Sequence, residues 1–171
     1  MRVVVSDACC LIDLDKVEAV VEVLRLPFDF VVPDILYANE VRSLQNISPE
    51  ELPSHGLELR ELSGASVARA QAYFQQNREL SLNDCFALVL AEAEENAILF
   101  TGDGALRAFA SSRGIQTHGV LWAVEQMVDA AIIDKATALA ALEVFREDPL
   151  VRLKSSLIAT VARRIRSKSY G

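Results

Sequence analysis

The sequence predicts an α/β fold in which a parallel sheet is covered by helices on both faces. Three observations carry that expectation. The apolar runs RVVVS (2–6), DFVVP (29–33) and AILFT (97–101) are continuous rather than alternating, as in strands buried on both faces. Segments with apolar residues three or four apart lie between such runs and read as helices. Their alternation along the chain implies βαβ units with right-handed crossovers.

Taken in order, the first strand at 2–6 leads into a helical pattern over 8–25, with Leu11, Leu14, Val17, Val20, Val21 and Leu24 on its apolar face. The second strand, 29–33, is followed by a helix over 34–45 carrying Ile35, Tyr37, Ala38, Val41 and Leu44. SPEELPSHG (48–56) holds two prolines and a glycine and reads as a loop or broken helix. A third strand follows at 57–62, then helices over 65–77 and 82–95. The strand at 97–101, a helix over 104–112 stopped by Gly114, and a last strand at 115–118 complete the alternation. Beyond Gly119 the chain reads as helical to its end: VLWAVEQMVDA, then DKATALAALEVFRE capped by Asp134, a break at Asp148-Pro149, and LVRLKSSLIATVARRIR. The expected division is a domain over 1–133 and a helical extension with a basic C-terminus over 134–171.

A chain of 171 residues, 51% hydrophobic, is long and apolar enough for one sizeable core. Only 6% is aromatic, so that core is expected to be aliphatic and rich in alanine. No apolar run reaches the roughly 20 residues of a membrane span. Asp7 interrupts the only apolar stretch near the N-terminus, so no secretory signal is read there and a cytoplasmic protein is expected. Cys9, Cys10 and Cys85 show no CxxC spacing, which argues against zinc and for three small buried hydrophobes. Charge is uneven. Residues 1–150 hold 11 Lys and Arg against all 24 Asp and Glu, a net −13, whereas residues 151–171 hold six cations and no acid. A polyanionic substrate would need bound metal or the basic end to offset the field of that acidic body.

Against that background, Asp7, Glu40, Asp84 and Asp103 fall close to strand ends or helix starts. In a parallel α/β sheet, ligands bind beyond the carboxyl ends of the strands. Asp7 and Asp103 follow two such ends, Asp84 lies in a first helical turn, and Glu40 lies about one and a half turns into its helix. Hard oxygen ligands held together favour Mg2+ or Mn2+ and phosphodiester hydrolysis, since a divalent cation relieves the repulsion among them. Each acid also has an ordinary reading. Asp7 suits a helix cap, Asp84 with Ser81 a capping box, Asp103 a turn between glycines, and Glu40 a solvated helix position.

The segments SDACCLIDL, PDILYANEV, LSLNDCFALVLAEAEENAILFTGD and GDGALRAFA resemble successive motifs of PIN-domain proteins, over about residues 1–128. These are metal-dependent ribonucleases that include the VapC-type toxins of bacterial toxin–antitoxin pairs. The resemblance implies a three-layer fold with a five-stranded parallel sheet, and Asp7, Glu40, Asp84 and Asp103 as the catalytic, metal-binding acids. It implies Thr101 as a supporting hydroxyl, Mg2+ or Mn2+ as cofactor, RNA as substrate, and an antitoxin protein and a second copy of the chain as partners. Two departures stand out. Ala8 replaces the hydroxyl residue that often follows the first acid, leaving Ser6 nearby, and Gly104 replaces an extra acid often seen near the fourth motif. Asn83 and Asn39 are further supporting candidates. A PIN-like module with impaired catalysis, binding a protein or RNA, is the alternative from another class.

Other constellations are weaker. His55 and His118 lie on separate segments and lack the spacing of a triad or zinc site. Asp13 and Asp15 read as a hydrophilic helix face, and Trp122 as core. At the basic end, Leu150, Leu153, Leu157, Ile158, Val161 and Ile165 are expected along one helix face.

Overall fold

A computed structural model describes residues 1–169. Five strands, β1 (Arg2–Ser6), β2 (Phe28–Pro33), β3 (Glu58–Arg60), β4 (Ile98–Phe100) and β5 (Gln116–His118), form one all-parallel sheet in the order β3-β2-β1-β4-β5. The α/β architecture expected from the continuous apolar runs is therefore present. Val4, Val5, Val31, Val32 and Leu99 are completely buried, which is why those runs do not alternate. From β1 the chain steps outward to β2 and β3, then returns to the other side of β1 as β4 and β5. The order reverses between β1 and β4, so the crevice at their carboxyl ends is the switch point of this sheet.

Helices α1 (Ala8–Asp15), α2 (Val20–Leu24) and α7 (Val120–Asp129) pack together on one side. Helices α4 (Gly64–Gln76), α5 (Leu82–Ala93) and α6 (Gly104–Ser112) form the other layer, with α5 against β1, β2 and β4. The right-handed crossover rule puts the two groups on opposite faces. Burial from Cys85 through Ala91 makes α5 the best-covered helix, and Ser63 and Ser81 cap α4 and α5 with their hydroxyls.

The expected helix over 8–25 is two helices. Glu18 takes a left-handed conformation (φ 53°) between them, and the Glu18 and Ala19 amides close the end of α1 on Asp15 and Leu14 carbonyls. Asp15 is not on a solvated face. It is buried, and its carboxylate accepts from the amides of Gln45 (2.7 Å) and Asn46 (3.2 Å), tying α1 to the following loop. The expected helix over 34–45 also breaks. Helix α3 covers only Asp34–Asn39, Glu40 leaves helical geometry (φ −124°, ψ −41°), and a 3-10 turn covers Val41–Ser43. A 3-10 helix at Pro49–His55 occupies the proline-rich segment.

Helices α8 (Lys135–Glu147) and α9 (Ser155–Ser167) follow, with α9 packed on α7 and α8. Asp134 caps α8 through its carboxylate, as the sequence predicted. The last helix begins five residues later than expected. Leu150 is 76% exposed before it and Leu157 is 52% exposed on it, so only Ile158, Val161 and Ile165 of the expected stripe form its buried face. Those residues join the same continuous apolar core as the sheet. Arg164 pairs with Glu125 at 2.9 Å and Lys168 pairs with Asp129, both acids on α7. Residues 170 and 171 of the basic end lie outside the described residues. Ile165→Ala is expected to cost about 2–4 kcal/mol by leaving a cavity, while Leu157→Ala changes stability by less than about 0.5 kcal/mol. Urea denaturation of both variants checks this, and equal costs would mean that α9 is not anchored as described.

Candidate functional site at the carboxyl end of the sheet

Asp7 follows β1 directly, and its amide donates to the Phe100 carbonyl at 2.9 Å, extending the β1–β4 pairing by one step. That places Asp7 beside Thr101, the first residue after β4. The Thr101 hydroxyl donates to Asp7 Oδ2 at 2.8 Å and accepts from the Asp103 amide at 3.1 Å. Although Asp7 precedes α1, its side chain makes no capping bond, so helix capping does not explain the acid there.

Asp84 and Asp103 do serve their helices. Asp84 Oδ2 accepts from the Ser81 amide at 2.6 Å, completing a capping box at the start of α5. Asp103 Oδ1 accepts from the Leu106 amide at 2.8 Å and caps α6. Glu40 sits at the hinge between α3 and the 3-10 turn rather than one and a half turns into a helix. Asn83 donates to Glu40 Oε1 and accepts from Asn39 at 3.3 Å, linking α3 to the start of α5.

One feature is common to all four acids. Each carboxylate accepts protein hydrogen bonds through one oxygen only, leaving the other without a donor among the described residues. Their charges act on one another. Burial pushes the Asp7 carboxyl up to about 6, and the negative charges of Asp84 and Glu40 add to the rise against the hydrogen bonds from Cys9 and Thr101. Burial also raises Asp84, with Asp103 and Glu40 adding repulsion. Four hard oxygen atoms without donors, in mutually repelling carboxylates, fit a divalent cation. Among the described residues no three His, Cys, Asp or Glu side chains converge closely enough to cage an ion as they stand. The quartet is a ring within Coulombic reach rather than a closed cage.

Of the supporting candidates, Thr101 and Asn83 touch the acids. Ser6 does not reach the carboxylate. Buried in the last position of β1, it donates to the Asp7 backbone carbonyl at 3.0 Å. Cys9 is the residue that sequence reasoning missed. Instead of filling core space, its thiol donates to Asp7 Oδ2 at 3.0 Å and accepts from the Gly102 amide at 3.2 Å. It thus bridges the β1 end to the β4 end. The available signal was its position two residues after Asp7, in the first turn of α1, where its side chain can turn back toward the strand ends.

Comparison with known families places residues 3–167 within the model of a PIN domain. No curated protein matches the chain.

Proposed function

The chain belongs to the PIN-domain family, whose members are generally nucleases that use divalent metal ions, and from that premise we propose that it is a Mg2+- or Mn2+-dependent endoribonuclease. The observation that carries this reading is the quartet Asp7, Glu40, Asp84 and Asp103 at the β1–β4 switch point, each with one oxygen lacking a protein donor. Those four carboxylates would hold the metal. When bound, a divalent cation activates water and stabilises charge developing on a phosphoryl oxygen.

The chain's own groups orient the acids. Thr101 and Cys9 hold Asp7 by the same oxygen, so its other oxygen points away from them. Asn83 holds Glu40, and the caps of α5 and α6 hold Asp84 and Asp103. Fixing four carboxylates on strand and helix ends keeps the charge pattern rigid. The product expected of hydrolytic attack carries a 5′-phosphate and a 3′-hydroxyl. The proposed substrate is RNA, and the toxin of a toxin–antitoxin pair, with an antitoxin protein as partner, is one of the two roles open to such an enzyme. A neighbouring gene for a small DNA-binding protein would separate a toxin from a housekeeping nuclease.

A second reading, an RNA- or protein-binding module without catalysis, draws on the open arrangement of the quartet. Incubating the protein with single-stranded RNA, with and without Mn2+, decides between the two. Binding without any cleavage would leave only the module.

The role of Cys9 has its own test. Cys9→Ala removes a donor to Asp7 and an acceptor for Gly102, and is expected to cost roughly 1 kcal/mol and weaken Mn2+ binding about tenfold. Cys9→Ser keeps both functions and is expected to restore most of each. Calorimetric Mn2+ titration and urea denaturation of the pair measure this, and alanine equal to wild type in both would reduce Cys9 to filler.

A further inference from the structure

A cavity of about 440 Å3 lies between the α4–α5 connection and the face of α6 that runs from Ala105 to Ser112. Ala105, Ala108 and Phe109 line it from α6, and Arg78, Glu79 and Leu80 from the connection. Chain connectivity fixes its place. Leu80 precedes Ser81, whose amide holds Asp84, and Ala105 lies two residues past Asp103, no more than about 7 Å along the backbone. The end of the cavity lined by Leu80 and Ala105 therefore adjoins the half of the quartet formed by Asp84 and Asp103.

Its chemistry differs from that of its neighbour. The quartet carries four carboxylates, whereas the cavity offers one cation, one anion, the side-chain amides of Gln76 and Asn77, the Ser112 hydroxyl, the apolar side chains of Leu80, Ala105 and Ala108, and the half-buried Phe109 ring. A neutral, flat, partly apolar group suits such a lining better than an ion does. Phe109 already meets Tyr73 edge-on at 5.4 Å between centroids and has the Arg113 guanidinium 6.0 Å from its ring, so the part of the ring that lines the cavity is the aromatic surface left for a nucleobase. Arg78 is exposed and, among the described residues, has neither an ion pair nor a side-chain hydrogen bond. By contrast Arg60, Arg69 and Arg113, also flanking this helical layer, are each held by a carboxylate. An uncommitted guanidinium at the edge of an acidic site is placed to meet a phosphate.

We propose that this cavity is a nucleobase subsite: it takes the base beside the phosphate presented to the quartet, with Phe109 as its stacking surface and Arg78 contacting the backbone phosphate. The subsite rests on the ribonuclease reading for its substrate class. It selects single-stranded RNA, because a base can enter only when it is unpaired.

The test uses the full-length protein and a fluorescein-labelled single-stranded RNA of 12 nucleotides. Ala108→Trp fills the cavity from an exposed helix position, and Arg78→Gln removes the phosphate contact. Anisotropy in EDTA is expected to show about tenfold weaker RNA binding for Ala108→Trp, the scale of losing one stacked base. Arg78→Gln is expected to weaken binding severalfold and to make it less sensitive to salt, as one phosphate contact is lost. With Mn2+ present, KM for cleavage rises in both variants while the Mn2+ dissociation constant stays at the wild-type value. RNA binding unchanged in Arg78→Gln and in folded Ala108→Trp overturns the subsite. If Ala108→Trp does not fold, an unchanged affinity and salt slope in Arg78→Gln overturns it alone. Failure of the nuclease reading is seen separately, as wild-type protein that binds the RNA without cleaving it.

Discussion

Asp84→Asn and Asp103→Asn are each expected to abolish metal-dependent RNA cleavage, by at least about a hundredfold, in a chain that remains folded. The fold survives because asparagine keeps an oxygen that can accept the capping amide, and at the N-cap position of Asp103 it is as good as aspartate. At Asp103 that oxygen takes the Leu106 amide, and at Asp84 the Ser81 amide. What is lost is the negative charge on the carboxylate oxygen that has no protein donor. Metal-assisted stabilisation of a transition state is worth several kcal/mol, and each 1.36 kcal/mol is a decade in rate. Circular dichroism, calorimetric Mn2+ titration and a cleavage assay on the same samples make the measurement. Undiminished cleavage in both variants would remove these acids from the site, whereas an unfolded variant would make its cap the dominant role of that residue.

Asp7→Asn is expected to do the opposite to stability: the variant is inactive but more stable than wild type when metal is withheld. Asp7 is buried and repelled by Asp84 and Glu40, which holds its carboxyl at about 6 in the folded chain against about 3.9 unfolded. Between those values the folded state binds the extra proton, so stability falls as pH rises from about 4 through 6. The difference amounts to roughly 3 kcal/mol at neutral pH, as an upper bound, and asparagine removes it. Asp13 is also pushed up to about 6 by burial, with Asp148 adding to the rise and Lys16 opposing it, so part of the slope persists in the variant. Glu50, Glu58, Asp134, Glu143 and Asp148 are shifted downward by hydrogen bonds, and their contributions are lost only at lower pH. Urea denaturation in EDTA at pH 4.5 and pH 7 measures both effects. A variant less stable than wild type at pH 7 would show that the bonds from Thr101 and Cys9 outweigh the cost of burial.

By itself, the sequence determined the strands and the parallel α/β class. Strands buried on both faces need continuous apolar residues, and RVVVS and AILFT have them. Caps are local, so Asp134 and the Ser81–Asp84 box were legible over three residues of chain. Where helices end inside an apolar pattern was not legible. Periodicity runs unbroken through Glu18 and Glu40, but the backbone leaves the helix at both, and a buried Asp15 holding the Gln45 and Asn46 amides ties the two regions together. Only the tertiary structure decided that bond, because its partners are thirty residues apart. The same holds at the site. Cys9 and Ser6 look alike as small residues flanking Asp7, yet the thiol reaches its carboxylate and the hydroxyl turns to its backbone carbonyl. Strand order alone brings the end of β1 beside the end of β4, ninety-four residues on, and makes Asp7 and Thr101 a pair. Local propensity and pattern act over a few residues, whereas a site at a switch point is assembled by pairings that no short stretch of chain encodes.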